Sequence, residues 1–300
     1  MRYALVFSGQ GQQHAGMLPW LERDATVVDV ERRIGSDWRE RLSNPEWAGN
    51  NRHAQVLLTG LGLAAWHQLA GHLPPPAVIA GYSVGELAAF SAAGVFDAAN
   101  ALALAAARAD AMDQAAAAQA ATGLLGVSGA APEALARLCE RFELHVAIRL
   151  GPGSAVLGGL RPALRDAADA AAEQGIRCTP LNIAMASHTP WMQPAAQAFG
   201  RVLGGVAMGR PAPLLLSGAI GRVRSGEEAR EALATQIAHT VQWSDCMDAI
   251  DAQRVDAVLE IGPGQALARM WLEHGRETPA RSVDEFRSAS AIAKWLLGRS

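Results

Sequence analysis

Ala77-Val78-Ile79-Ala80-Gly81-Tyr82-Ser83-Val84-Gly85-Glu86 reads as a short apolar strand, a glycine-flanked turn and the start of a helix that continues through Leu87, Ala88, Ala89 and Phe90. Glycines two before and two after a serine permit a strained turn and leave room for substrate. The Ser83 hydroxyl would then stand at a helix N-terminus, where the helix dipole favours developing negative charge. Strand, turn and helix in this order predict an α/β fold and make Ser83 a candidate nucleophile. An ordinary glycine turn with a capping serine would contain the same residues.

Composition bounds the rest. Three hundred residues, half of them hydrophobic, suffice for one large domain or a large domain with an insert. The formal charge of -3 and the lack of a basic stripe argue against a nucleic-acid partner. No stretch approaches the roughly 20 apolar residues of a membrane span. Met1 to Phe7 is too short for a signal-peptide core and reads as a first strand. Cys139, Cys178 and Cys246 are scattered and odd in number, as expected of reduced thiols in a cytoplasmic protein. No metal site is expected.

Outward from Ser83, the strand at 2–7 runs into a polar, glycine-rich loop from Ser8 to His14. Helical spacing covers 52–69, 84–93 and the alanine-rich 97–120. The rhythm then changes to strand 122–128, helix 132–142, strands 144–150 and 154–158, helix 161–174 and strand 176–181. This βαββαβ order is ferredoxin-like, and it predicts a small subdomain over 121–183 inserted in a body made of 1–120 and 184–300. Further expectations are helices at 190–203, 227–238 and 244–253, and strands at 214–217 and 255–261. The last strand ends in Gly262-Pro263-Gly264.

A nucleophilic serine needs a base, and eight histidines are available. His188, in Ala186-Ser187-His188-Thr189-Pro190, lies in a loop between strand and helix, where catalytic groups often sit. A capping or solvated loop histidine is the alternative. His53 and His67 fall inside a helical pattern and read as packing or surface residues. The Ser8–His14 loop can offer a backbone N–H to an oxyanion, and Val84, the residue after the serine, can offer another. The loop lacks the third glycine of a dinucleotide fingerprint and the lysine of a P-loop. Arg108 interrupts an almost wholly apolar helix and is expected to be half buried. Asp110, Asp113 or water can satisfy it, and so can a carboxylate on a substrate.

The ordered motifs Phe7-Ser8-Gly9-Gln10-Gly11-Gln12-Gln13, Gly81 to Glu86, Arg108 with Met112 and Gln114, Ser187-His188-Thr189-Pro190-Trp191-Met192, Val241-Gln242-Trp243 and Glu260-Ile261-Gly262-Pro263-Gly264 span the chain. Together they resemble the malonyl-CoA:acyl carrier protein transacylase family. The resemblance implies an α/β-hydrolase-like body with a ferredoxin-like insert. It implies Ser83 as nucleophile, His188 as base, Gln10 and Val84 N–H groups as the oxyanion hole, and Arg108 as the partner of the malonyl carboxylate. Gln236, seven residues before Trp243, would orient the histidine through its backbone carbonyl. No cofactor would be permanently bound, malonyl-CoA would be a substrate, and an acyl carrier protein would be the partner.

The sequence departs from the family at Tyr82, where a histidine is usual, and at Ile148-Arg149-Leu150-Gly151-Pro152, where asparagines often precede the proline. Met185-Ala186-Ser187-His188 matches neither motif associated with malonyl or methylmalonyl choice. Gly81-Tyr82-Ser83-Val84-Gly85-Glu86 looks like the acyltransferase (epsilon) subunit of malonate decarboxylase, which would make that system's dedicated carrier subunit the acceptor. The alternatives are a fatty-acid or polyketide malonyltransferase, a serine esterase, and a non-enzymatic docking subunit.

Overall fold

The computed structural model describes residues 1–298. The chain begins with β1 (Tyr3–Phe7) and passes through three helices, α1 (Ala25–Ile34), α2 (Trp38–Arg41) and α3 (Pro45–Gly49). The long α4 (Asn51–Ala70) follows, then β2 (Val78–Gly81), α5 (Gly85–Ala92) and α6 (Ala98–Ala117). A second region comprises β3 (Thr122–Ser128), α7 (Pro132–Phe142), β4 (His145–Gly151), β5 (Ser154–Leu160), α8 (Arg161–Ala172) and β6 (Arg177–Pro180). The remainder is α9 (Gln193–Gly204), β7 (Leu214–Ser217), β8 (Gly221–Val223), α10 (Gly226–Thr235), β9 (Val241–Gln242), α11 (Trp243–Asp251), β10 (Ala257–Ile261), α12 (Ala266–Glu273), β11 (Ala280–Ser282) and α13 (Ala289–Leu297).

Two sheets organise these elements. The larger has the order β11-β10-β1-β2-β7-β8, parallel except for the β7–β8 pair. Its central strands β1, β2 and β10 are buried at every residue because helices cover both faces. Side chains alternate between the faces. Leu5, Phe7 and Ile79 join the core shared with α4, α5 and α6, while Ala4, Val6 and Val78 pack with Trp243, Met247 and Trp271. The smaller sheet has the order β6-β3-β5-β4-β9, with β3, β4, β5 and β6 antiparallel to their neighbours and β9 parallel to β4. Helices α7 and α8 cover one face, around Leu125, Val127, Leu138, Leu157 and Leu164. The other face contributes Leu124, Ile148 and Val156 to the core beneath Trp243.

Several sequence expectations shift. The segment expected as one helix at 190–203 opens with a 3₁₀ turn, Pro190–Met192, before α9. Helices α1 to α3 and strands β8, β9 and β11 had no counterpart in the sequence reading. The short helices depend on capping: Asp24 accepts from Val27 N–H, and Asn44 accepts from Glu46 and Trp47 N–H. Strand β9 lies outside 121–183 yet pairs with β4, so the smaller sheet is not closed within that span.

Three adjacent parallel strands, β10, β1 and β2, end at the same edge. Their carboxyl ends deliver the Gly262–Gly264 loop, the Ser8–Gln10 loop and the Ser83 turn to one place, where open α/β sheets gather ligands.

Candidate active site

The turn from β2 into α5 holds Ser83 at φ +54°, a left-handed conformation that a non-glycine residue adopts only under constraint. The two flanking glycines explain the constraint. A Cβ on Gly81 would lie 2.3 Å from Glu86 N, and one on Gly85 would lie 2.4 Å from Phe7 O. The sequence predicts that these glycines permit a strained turn, as the Ser83 backbone shows, and that they leave room for substrate. The space they leave is taken by backbone, the first turn of α5 and the end of β1.

His188 also sits at positive φ, +62°, with its N–H donated to Ile237 O at 2.8 Å. Its ring bridges two partners. Nε2 lies 2.8 Å from Ser83 Oγ and Nδ1 lies 2.5 Å from Gln236 O. A carbonyl oxygen can only accept, so Nδ1 carries the hydrogen and Nε2 is free to take one from the serine. His188 is buried; desolvation and the Arg108 charge pull its pKa down to about 4, against the opposing effect of the Gln236 carbonyl. The imidazole is therefore neutral, in the tautomer a general base requires.

Arg108 is 2% exposed, not half buried. Its sequence neighbours do not satisfy it: Asp110 pairs with Arg52, and Asp113 accepts from Asn51 Nδ2 at 2.9 Å. Two amide oxygens hold the guanidinium instead. Nη1 donates to Gln55 Oε1 at 2.8 Å and Nη2 donates to Gln236 Oε1 at 3.1 Å, while Nε is buried without a partner. Burial lowers the Arg108 pKa to about 10, with Glu86 acting in the opposite sense. Glu86 is completely buried and accepts from Ser217 Oγ at 2.9 Å and Gly218 N–H at 2.8 Å. Burial pushes its carboxyl up to about 7.

Gln10, Tyr82, Ser83, Val84, Arg108 and His188 line one cavity of about 90 Å³, room for an acyl group of a few heavy atoms. Among the described residues, neither the Gln10 nor the Val84 N–H meets an acceptor. The Ser8 loop is anchored from behind, where Ser8 Oγ donates to buried Glu260 at 2.8 Å and Ser8 N–H to Ile261 O at 2.9 Å. Tyr82 meets Trp243 edge to face, with ring centroids 5.2 Å apart. A larger groove, about 570 Å³, shares Leu124, Leu181 and Ile183 with the cavity and carries Arg161 and Arg165.

All six residues singled out in the sequence thus converge. Gln55, the buried carboxyl of Glu86, and Ser217 were missed. Their signal was a lone polar side chain in an apolar run, Ala54-Gln55-Val56-Leu57-Leu58 and Gly85-Glu86-Leu87-Ala88. His53, by contrast, stacks on Trp47 at 4.6 Å and takes no part. Among the described residues no cluster of histidine, cysteine and carboxylate side chains could hold a metal ion, and no helix is long and apolar enough to cross a membrane.

A family model for the acyl transferase domain matches residues 4–296. The malonyl CoA-acyl carrier protein transacylase of Mycobacterium tuberculosis is 34% identical over 295 residues, covering 93% of this chain and 95% of its own length. The crystal structure of MCAT from Mycobacterium tuberculosis matches with a TM-score of 0.87 at 30% identity, covering 98% of this chain and 100% of that one. A malonyl-transacylase in complex with its type II PKS acyl-carrier protein matches with a TM-score of 0.89 at 27% identity, covering 99% and 100%.

Proposed function

The chain belongs to the acyl transferase domain family, and on that premise we propose that it is a malonyl-CoA:acyl carrier protein transacylase working through a Ser83 acyl-enzyme. One observation carries the reading: a serine hydrogen-bonded to a neutral histidine shares a small cavity with a buried arginine that keeps an unpartnered N–H.

Neutral His188 takes the Ser83 proton at Nε2 as Oγ attacks the malonyl thioester carbonyl. The tetrahedral oxyanion lies on the Gln10 and Val84 N–H groups, each worth about 3 kcal/mol in such sites. The carbon–sulfur bond breaks, His188 returns the proton to the leaving thiolate, and CoA departs from a malonyl ester on Ser83. The carrier thiol then gives its proton to His188, attacks the ester, and takes the malonyl group as Ser83 is reprotonated. Gln236 holds the His188 tautomer through its backbone carbonyl. Arg108 binds the free carboxylate of the acyl group, which acetyl lacks. The thioester arm lies along the groove that adjoins the cavity, with Arg161 and Arg165 available to its anionic end. In this reading 121–183 is a ferredoxin-like insert in an α/β-hydrolase-like body.

Two carriers fit. Tyr82 within Gly81 to Glu86 favours the carrier subunit of a malonate decarboxylase. The curated relatives, named malonyl CoA-acyl carrier protein transacylases, favour an ordinary pantetheine carrier. Mass spectrometry of the intact chain tests both levels. Malonyl-CoA should add one malonyl group to Ser83, Ser83→Ala should prevent it, and only the true carrier should remove it quickly. Labelling that survives Ser83→Ala, or rapid loss of the label to water alone, would overturn the transferase reading.

A further inference from the structure

Gln236 contacts three parts of the site at once. Its backbone oxygen accepts from His188 Nδ1 at 2.5 Å. Its side-chain oxygen accepts from Arg108 Nη2 at 3.1 Å, and its side-chain nitrogen donates to Ser83 O at 3.1 Å. Chemistry fixes this amide orientation. A guanidinium has no acceptor and a carbonyl has no donor, so the oxygen must face Arg108 and the nitrogen must face Ser83. Gln236 is 1% exposed, so water does not compete for these bonds. Ser83 O also accepts from Glu86 N–H at 3.0 Å, and the carbonyl belongs to a residue held at positive φ. The second arginine contact, Gln55, has no bond to either Ser83 or His188. It joins Arg108 to Asn51 Oδ1, 2.8 Å from its nitrogen, and to Met112.

We propose that the Gln236 side chain is a positioning residue that couples capture of the acyl group's free carboxylate at Arg108 to the alignment of the Ser83–His188 pair. This rests on the malonyl-transfer reading and adds a consequence to it. Discrimination between malonyl and acetyl then appears in the rate of the chemical step as well as in binding. A carboxylate drawing on Arg108 fixes the guanidinium, the guanidinium fixes the amide, and the amide fixes the carbonyl of the nucleophile's strained turn.

The test is single-turnover acylation of Ser83 by malonyl-CoA and by acetyl-CoA, in wild type, Gln236→Met and Gln55→Met. Gln236→Met keeps the backbone carbonyl that orients His188 and removes the bridge, together with the amide's influence on the buried Glu86 carboxyl, which is the same for both acyl groups. It should lower the ratio of malonyl to acetyl rate constants about tenfold, the size of one buried hydrogen bond to a charged group that is held fixed only when the carboxylate is bound. Gln55→Met should raise the half-saturating malonyl-CoA concentration while leaving that ratio within about twofold. Equal fractional losses for both acyl groups in Gln236→Met, or the same fall in the ratio in Gln55→Met, would overturn the coupling. If Gln236→Met does not fold, Gln236→Leu serves in its place, since it too keeps the backbone carbonyl and removes both amide contacts. A wild type that shows no malonyl preference, or no Ser83 label, would refute the malonyl-transfer reading itself, a result distinct from a failure of the coupling.

Discussion

Acid pH probes the Ser83–His188 pair directly. Burial, aided by the nearby positive Arg108, takes His188 from its ordinary 6.5 down to about 4. Only the neutral imidazole can accept the serine proton, so acylation follows the neutral fraction. At pH 5.5 an imidazole with the ordinary value is neutral in about a tenth of molecules, whereas one near 4 is neutral in nearly all of them. The acylation rate at pH 5.5 should therefore stay within about twofold of the rate at pH 7.5, where an unshifted base would lose about tenfold. Acetyl-CoA is the substrate of choice, because its acyl group has no carboxylate to titrate, and quenched-flow mass spectrometry of the acyl-enzyme gives the rate. Arg108→Met adds a check of sign. Removing a neighbouring positive charge makes the imidazole easier to protonate, so the acid limb should move up towards 6.5. A limb at pH 6 or above in the wild-type protein, or a downward move in Arg108→Met, would refute both the neutral buried base and the electrostatic link to Arg108.

Gly85→Ala drives a Cβ to within 2.4 Å of Phe7 O, in a place where neither backbone can retreat. It should destabilise the fold by about 3 kcal/mol or more in urea unfolding, and a loss below about 1 kcal/mol would mean the Ser83 turn is not locked as described. Glu86 tests linkage. Its carboxyl is raised from 4.5 to about 7 in the folded protein, so the stability it contributes is complete below pH 4.5 and is lost as pH rises through 7. The stability of Glu86→Gln relative to wild type should therefore rise across that window, by up to about 3 kcal/mol, and parallel stability curves would contradict the assignment. Asp284 accepts from Leu18 N–H at 2.5 Å and Gly264 N–H at 2.7 Å and pairs with His14, tying the loop after β1 to the loop after β10. Asp284→Ala should lose about 2 kcal/mol and open residues 9–18 to protease, and an unchanged digestion pattern would argue that the loop holds itself.

Much of the fold was legible because its signals are local. Strand β3, helix α7 and strand β7 fall where alternation, proline placement and apolar runs put them, since a period of two or 3.6 residues is written in adjacent positions. The Ser83 turn was legible for the same reason, with two glycines and a serine within five residues. The helices of 25–49 were not, because they are only four to ten residues long, and α1 and α3 depend on capping bonds and on packing against α4. Strand β9 is two residues long and exists only because β4 lies beside it.

The sequence alone determined which residue types were present and in what local setting: a serine on a strained turn, a histidine in a loop after the smaller sheet, an arginine in an alanine-rich helix. Only the tertiary structure decided how they meet. Arg108 finds its partners 53 and 128 residues away, at Gln55 and Gln236, and not at the aspartates beside it. Ser83 and His188 are 105 residues apart in sequence and 2.8 Å apart in space. Burial, which sets the His188, Glu86 and Arg108 equilibria, is a property of the whole fold and cannot be read from any window of residues.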